Sequence, residues 1–232
     1  MLGQVLPALA DATIKLTTVL PEKLSYPRPT VETSMIRGAG THIQATAYHE
    51  AGHALAAMRE GRPLVFVQIF PNSPGAGLTR HLIRRRRNPF NPALGPGDAQ
   101  AAWQDTLSRY LTDIRILLAG PLAEARAFNK PLRTLGAESD LHRCQSIAKR
   151  LELLREHLIE CGIDCGSHIH EQLNHQRDWV RRWVARPVNW EAITRIADLL
   201  VNYRQISARE VLESYLAARD GRQLSLSLSW DC

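Results

Sequence analysis

A chain that sets two histidines four residues apart within a run of small apolar residues has few ways to fold around them. Here the run is Ala45-Thr46-Ala47-Tyr48-His49-Glu50-Ala51-Gly52-His53, continued by Ala54, Leu55, Ala56 and Ala57. It predicts a helix over residues 41–59. Residues four apart lie on one helix face, so His49 and His53 can offer two imidazoles to a single zinc ion, at a Zn–N distance of about 2.0–2.1 Å. Glu50, the next residue round, can reach a water at that ion as its base. The bland alternative is a solvated helix face that happens to carry two histidines. The flanks argue against it, because a helix apolar on most sides is buried and buried histidines need partners. Gly52 costs about 1 kcal/mol relative to alanine in mid-helix, which predicts that another element packs closely there. The pattern is that of a zinc hydrolase.

The rest of the composition sets the frame. A chain of 232 residues, 44% hydrophobic and 22% charged, suits one globular domain of ordinary size, or one with a modest appendage. The net charge of +6 is carried mostly by arginine, and a basic balance of this size is weak evidence for nucleic acid. Cys144, Cys161, Cys165 and Cys232 are too unevenly spaced for a disulfide framework. Reduced thiols and a cytoplasmic location are the expectation. The sequence shows no apolar run near the ~20 residues of a membrane span. It also lacks a basic region ahead of the first apolar residues, which argues against a secretory signal, and no Gly-x-x-x-x-Gly-Lys-Ser/Thr phosphate loop is present.

Along the chain, residues 1–40 read as an arm or short helix followed by a connector holding Pro21, Pro27 and Pro29. After the first helix, residues 64–70 and 76–82 read as two antiparallel strands joined by Pro71-Asn72-Ser73-Pro74-Gly75. Gly77 and the basic residues after it suit a sheet edge. Arg84, Arg85, Arg86 and Arg87, with the Pro, Asn and Gly residues that follow, read as a solvated loop. A helical pattern from about residue 98 to 129 is interrupted at Gly120-Pro121. Glu124, flanked by Leu122, Ala123 and Ala125, is expected in or near the core with a partner. A long helix runs to about residue 160, with Asp140 in its first turn. On spacing alone Asp140 is more simply a helix-start carboxylate than a metal ligand. Cys161, Cys165, His168, His170 and His175 match no standard zinc spacing. Helices follow near 168–185 and 189–204, then a short one over 208–218 with Ser207 as its N-cap. The Leu/Ser alternation of residues 224–230 is strand-like, or a disordered end.

Several of these stretches together resemble the zinc peptidase domain of the FtsH family of ATP-dependent metalloproteases. Ala47-Tyr48-His49-Glu50-Ala51-Gly52-His53-Ala54-Leu55 is similar to that family's signature almost letter for letter. Leu117-Leu118-Ala119-Gly120-Pro121-Leu122-Ala123-Glu124, Gly136-Ala137-Glu138-Ser139-Asp140-Leu141 and Gln205-Ile206-Ser207-Ala208-Arg209-Glu210-Val211 resemble three further segments, in the family's order and over roughly residues 44–216. The resemblance implies Asp140 as third zinc ligand, with Glu124 as the runner-up and otherwise a core carboxylate or a support to the site. The chain departs from the family in carrying Pro121 where the family has arginine and in showing neither ATPase module nor membrane segments.

These readings give an expected mainly α fold, a helical metallopeptidase domain over residues 41–218 with a small β-hairpin beside the His-Glu-x-x-His helix. Residues 1–40 precede it, and residues 219–232 form a tail. The expected activity is zinc-dependent hydrolysis of unfolded or flexible polypeptides, independent of ATP as a single chain. Zn2+ would be held by His49, His53 and Asp140, with Glu50 as catalytic base. The substrate is expected to lie as an extended strand along the hairpin, and a separate ATPase or unfoldase, or further copies of the chain, are the other candidate partners. The alternatives are an inactive peptide-binding or regulatory module that keeps the fold, and a nucleic-acid-binding protein that uses residues 84–87.

Overall fold

The computed structural model describes residues 39–73, 75–82, 96–132 and 138–228. The readings placed on residues 1–38, on residues 84–95, on Gly136-Ala137 and on residues 229–232 lie outside them. Six helices and one small sheet make up the described residues, a mainly α fold: α1 (Ala39–Arg59), β1 (Leu64–Ile69), β2 (Gly77–His81), α2 (Pro96–Phe128), α3 (Glu138–Glu160), α4 (Ile169–Ala185), α5 (Pro187–Tyr203), β3 (Gln205–Ser207) and α6 (Ala208–Leu228). No helix among them is long and apolar enough to cross a membrane.

Helix α1 forms the centre. Ala47, Ala51, Ala54 and Ala57 are fully buried and Leu55 is nearly so, which is how a helix bearing two histidines comes to be covered on most sides. Its closest neighbour is α2. A Cβ placed on Gly52 would stand 2.8 Å from the Ala123 Cβ and 2.9 Å from the Ala119 carbonyl carbon. Forcing atoms into such a contact typically costs 1–3 kcal/mol, more than the ~1 kcal/mol that glycine costs the helix. The expected close packing at Gly52 is therefore present, and α2 supplies it.

Helix α2 runs unbroken through Gly120-Pro121, where the sequence predicts an interruption. Pro121 removes the helical hydrogen bond to the Leu117 carbonyl and is normally worth about 3 kcal/mol against a helix. Every residue from 116 to 124 is buried, and that packing holds the helix together where propensity would break it. At the far end of α1, Arg115 of α2 grips Glu60 through Nε at 2.9 Å and Nη2 at 2.7 Å, and Arg62 Nη2 meets Asp113 Oδ1 at 2.6 Å.

The sheet has the order β2-β1-β3, all antiparallel. Val67 and Ile69 of β1 oppose Thr79 and Gly77 of β2, and Val67 also opposes Ile206 of β3. Directly paired residues share a face, so these five line one side of the sheet, with Val67, Ile69 and Ile206 buried. The outer edge of β2 pairs with no strand of the described residues. Sequence patterning places β1 and β2 but misses β3, whose three residues are too few to show alternation. Ser207 ends β3 and caps α6 reciprocally with Glu210, its N–H donating to Oε2 at 2.8 Å while its hydroxyl receives the Glu210 N–H at 3.4 Å.

Helix α6 continues to Leu228 rather than stopping near residue 218, so residues 224–228 are helical and not strand-like. A lone strand leaves its backbone groups unpaired, whereas each further helical residue gains an i−4 acceptor.

Candidate metal centre

The turn spacing of α1 brings the His49 and His53 rings to a centroid separation of 4.7 Å. Asp140, in the first turn of α3, reaches across so that its Oδ2 lies 2.9 Å from His49 Nε2 and 3.1 Å from His53 Nε2. Asp140 is thus both things that its position allows: a carboxylate at a helix start, where the dipole favours it, and the third donor beside two histidines. Among the described residues, this is the one group of three or more His, Cys, Asp or Glu side chains spaced to hold a metal ion. Cys144, one turn along α3, is buried, and desolvation followed by the charge of Asp140 pushes its thiol up to about 12, so it stays a packed thiol. His168 instead faces Glu152 at 3.1 Å and Arg155 at 3.3 Å.

The far nitrogens of both rings are spoken for. His53 Nδ1 lies 2.7 Å from the Ile116 carbonyl. A carbonyl only accepts, so this nitrogen carries the proton. His49 Nδ1 lies 2.9 Å from Glu124 Oε2 on α2 and donates to that carboxylate. Glu124 therefore sits behind His49, on the opposite side of the ring from Asp140. With both Nδ1 protonated, each Nε2 turns toward Asp140 either a lone pair or a second proton. Two lone pairs facing one carboxylate oxygen repel. A single cation between the three atoms satisfies all of them, and two nitrogens plus a carboxylate are donors that suit zinc. Gly120 makes room for this arrangement, since a Cβ there would fall 2.6–2.7 Å from Cε1 and Cδ2 of His53.

Without a metal, protons take that role. Burial works against a charged His49, but hydrogen bonds to Asp140 and Glu124 and the negative field of Glu50 and Asp140 outweigh it and raise its pKa from 6.5 to about 9. Burial likewise opposes ionisation of Asp140, yet the bonds to His49 and His53 hold its carboxyl well below the ordinary carboxylate range. The folded-state pKa of His49 exceeds its unfolded value of 6.5. Its contribution to stability is therefore complete below pH 6.5 and is lost as the pH rises through about 9. Asp140 contributes above its ordinary 3.8 and loses that contribution as the pH falls through its depressed value. Zinc bound there would reverse the alkaline trend, because it needs the bare Nε2 and competes better as protons leave. Chelated protein is expected to melt at lower temperature at pH 9 than at pH 6, and added zinc to raise the midpoint more at pH 9 than at pH 6. Thermal unfolding at the two pH values, with and without zinc, measures both; parallel shifts would contradict this account of the site.

Glu50 is the fifth polar side chain of the site. It is buried, and its Oε2 accepts the Thr79 hydroxyl from β2 at 2.6 Å. Sequence reasoning names His49, Glu50, His53, Asp140 and Glu124. It misses Thr79, Gly77 and the Ile116 carbonyl. Period-two facing of β2 pairs Gly77 with Thr79, but only the packing of the sheet shows that they meet Glu50.

A buried helix carrying His-Glu-x-x-His, crossed by a carboxylate from a distant helix and bordered by an edge strand, defines a mainly α domain with a candidate metal centre of hydrolase type. No protein-family model matches the chain. Curated relatives do: the chain is 32% identical over 108 residues to the ATP-dependent zinc metalloprotease YME1L of Drosophila melanogaster. It is 30% identical over 108 residues to YME1L1 of Homo sapiens, and 32% over 108 residues to FtsH of Nitrosococcus oceani. Each match takes in 45–46% of this chain and spans only 12–14% of the relative's own length. Over that stretch the chain is similar to proteins named as ATP-dependent zinc metalloproteases of the FtsH and YME1L kind.

Proposed function

We propose that this protein is a zinc-dependent metalloendopeptidase that cleaves unfolded or flexible polypeptides, and that its peptidase unit is residues 41–218. The convergence of His49, His53 and Asp140 beside Glu50 carries the reading. The similarity to enzymes named as zinc metalloproteases supports it. Zinc bound by these three residues would supply Lewis-acid polarisation of the scissile carbonyl and acidify a water.

The remaining roles fall to the chain. Glu50 takes a proton from the attacking water as its oxygen adds to the carbonyl carbon, and delivers that proton to the amine as the C–N bond breaks. The Ile116 carbonyl and Glu124 hold the two imidazoles by their Nδ1–H groups, so that both Nε2 atoms stay directed at the metal position. The edge of β2 that no described strand pairs offers backbone donors and acceptors to an extended peptide. Recognition of that kind reads backbone more than side chains, so sequence preference is loose. A flexible chain reaches such an edge without prior unfolding, and hydrolysis itself consumes no nucleotide. A separate ATPase, or assembly with further copies, would serve folded substrates.

The test is cleavage of unfolded casein by the purified protein, after chelation and after zinc is restored. About one zinc per chain is expected, with cleavage lost on chelation and regained with zinc. Bound zinc with no cleavage would favour a peptide-binding module, and a folded protein that takes up no zinc would refute the reading.

A further inference from the structure

Glu50 is held from the sheet as well as from its own helix. Gly77 and Thr79 lie two residues apart on β2, on the side chain face that packs against α1. A Cβ on Gly77 would fall 2.5 Å from Glu50 Oε1 and 2.7 Å from Cδ, so the carboxylate occupies the space that any other residue at 77 would fill. The Thr79 hydroxyl stands 2.6 Å from Glu50 Oε2 and 3.2 Å from the Glu50 backbone carbonyl. It has one proton to give. The shorter, charge-assisted bond to the carboxylate takes it.

We propose that Thr79 is a positioning residue for Glu50, seated by Gly77, so that the strand offered to the peptide also orients the base. The inference rests on the metallopeptidase reading. A glutamate side chain turns about three torsions, and a carboxylate free to sample them spends little time aligned for proton transfer. The bond from Thr79 engages Oε2 and leaves Oε1 as the oxygen that accepts the proton. Because Thr79 belongs to the edge strand, a peptide that pairs along β2 steadies the same backbone that carries the hydroxyl.

Thr79→Val keeps the shape and removes the donor, whereas Thr79→Ser keeps the donor and trims a methyl group. With casein-derived peptide as substrate, Thr79→Val is expected to lower kcat about 10–100-fold, the range for partners that orient a catalytic group. KM should stay within about twofold and zinc content unchanged, the signature of an interaction made in the transition state. Thr79→Ser should restore kcat to within about threefold of the native value if the hydroxyl is what matters. A merely structural tie between hairpin and helix would instead lower the unfolding midpoint of Thr79→Val and leave kcat of its folded fraction intact. The inference is overturned if Thr79→Val keeps native kcat, or if serine does no better than valine. If the native protein with zinc cleaves nothing, the peptidase reading itself falls, and this inference with it; that outcome appears before any variant is made.

Discussion

Glu50→Gln is expected to abolish cleavage while leaving zinc in place. The side chain is buried at 6% exposure and its Oε2 receives the Thr79 hydroxyl. A glutamine amide oxygen can accept that same bond at nearly the same volume, so neither fold nor metal position has reason to change. What glutamine cannot do is take up a proton. Positioned general bases contribute typically 10²–10⁴ in rate, and kcat on unfolded casein should fall within or beyond that range. Metal analysis and circular dichroism of the same preparation should match the native protein. Native-like cleavage by this variant would show that the base lies elsewhere.

The second large effect concerns the carboxylates, and lies in their order. Asp140→Ala should weaken zinc binding by more than about 100-fold, because partners that only orient ligands already cost 10–100-fold. Glu124→Ala should fall inside that lower range, since Glu124 meets His49 at Nδ1 and not at the nitrogen that faces Asp140. Competition with a chromophoric chelator gives both affinities. A Glu124 variant that binds zinc more weakly than the Asp140 variant would exchange the two assignments.

How much of this was legible in the sequence depends on the range over which each feature is determined. The pairing of His49 with His53 is local: four residues and the pitch of a helix define it, and the alanines around it announce its burial. The helices came through for the same reason, because a buried face repeats every three or four residues. Asp140 lies 87 residues from His53, and no periodicity spans such a gap. Spacing alone reads Asp140 as an ordinary helix-start residue, and only likeness to a known family points to a ligand. The Ile116 carbonyl was invisible because backbone groups carry no letter of their own. Pro121 misled, since local propensity argued for a break that tertiary packing overrides. The Leu/Ser alternation near the end misled in the same manner: residues 224–228 continue helix α6, where local alternation yields to the propagation of an existing helix.

The distance in sequence between the two halves of the metal centre has a further consequence. His49 and His53 belong to α1, and Asp140 opens α3. An ion bound between them would rivet the two helices together, and its departure would be tied to the lifting of one of them. Its escape into a large excess of chelator would then occur no faster than that lifting. The half-life of isotopically labelled zinc on the protein would serve as a stopwatch for a local opening that leaves the rest of the fold intact.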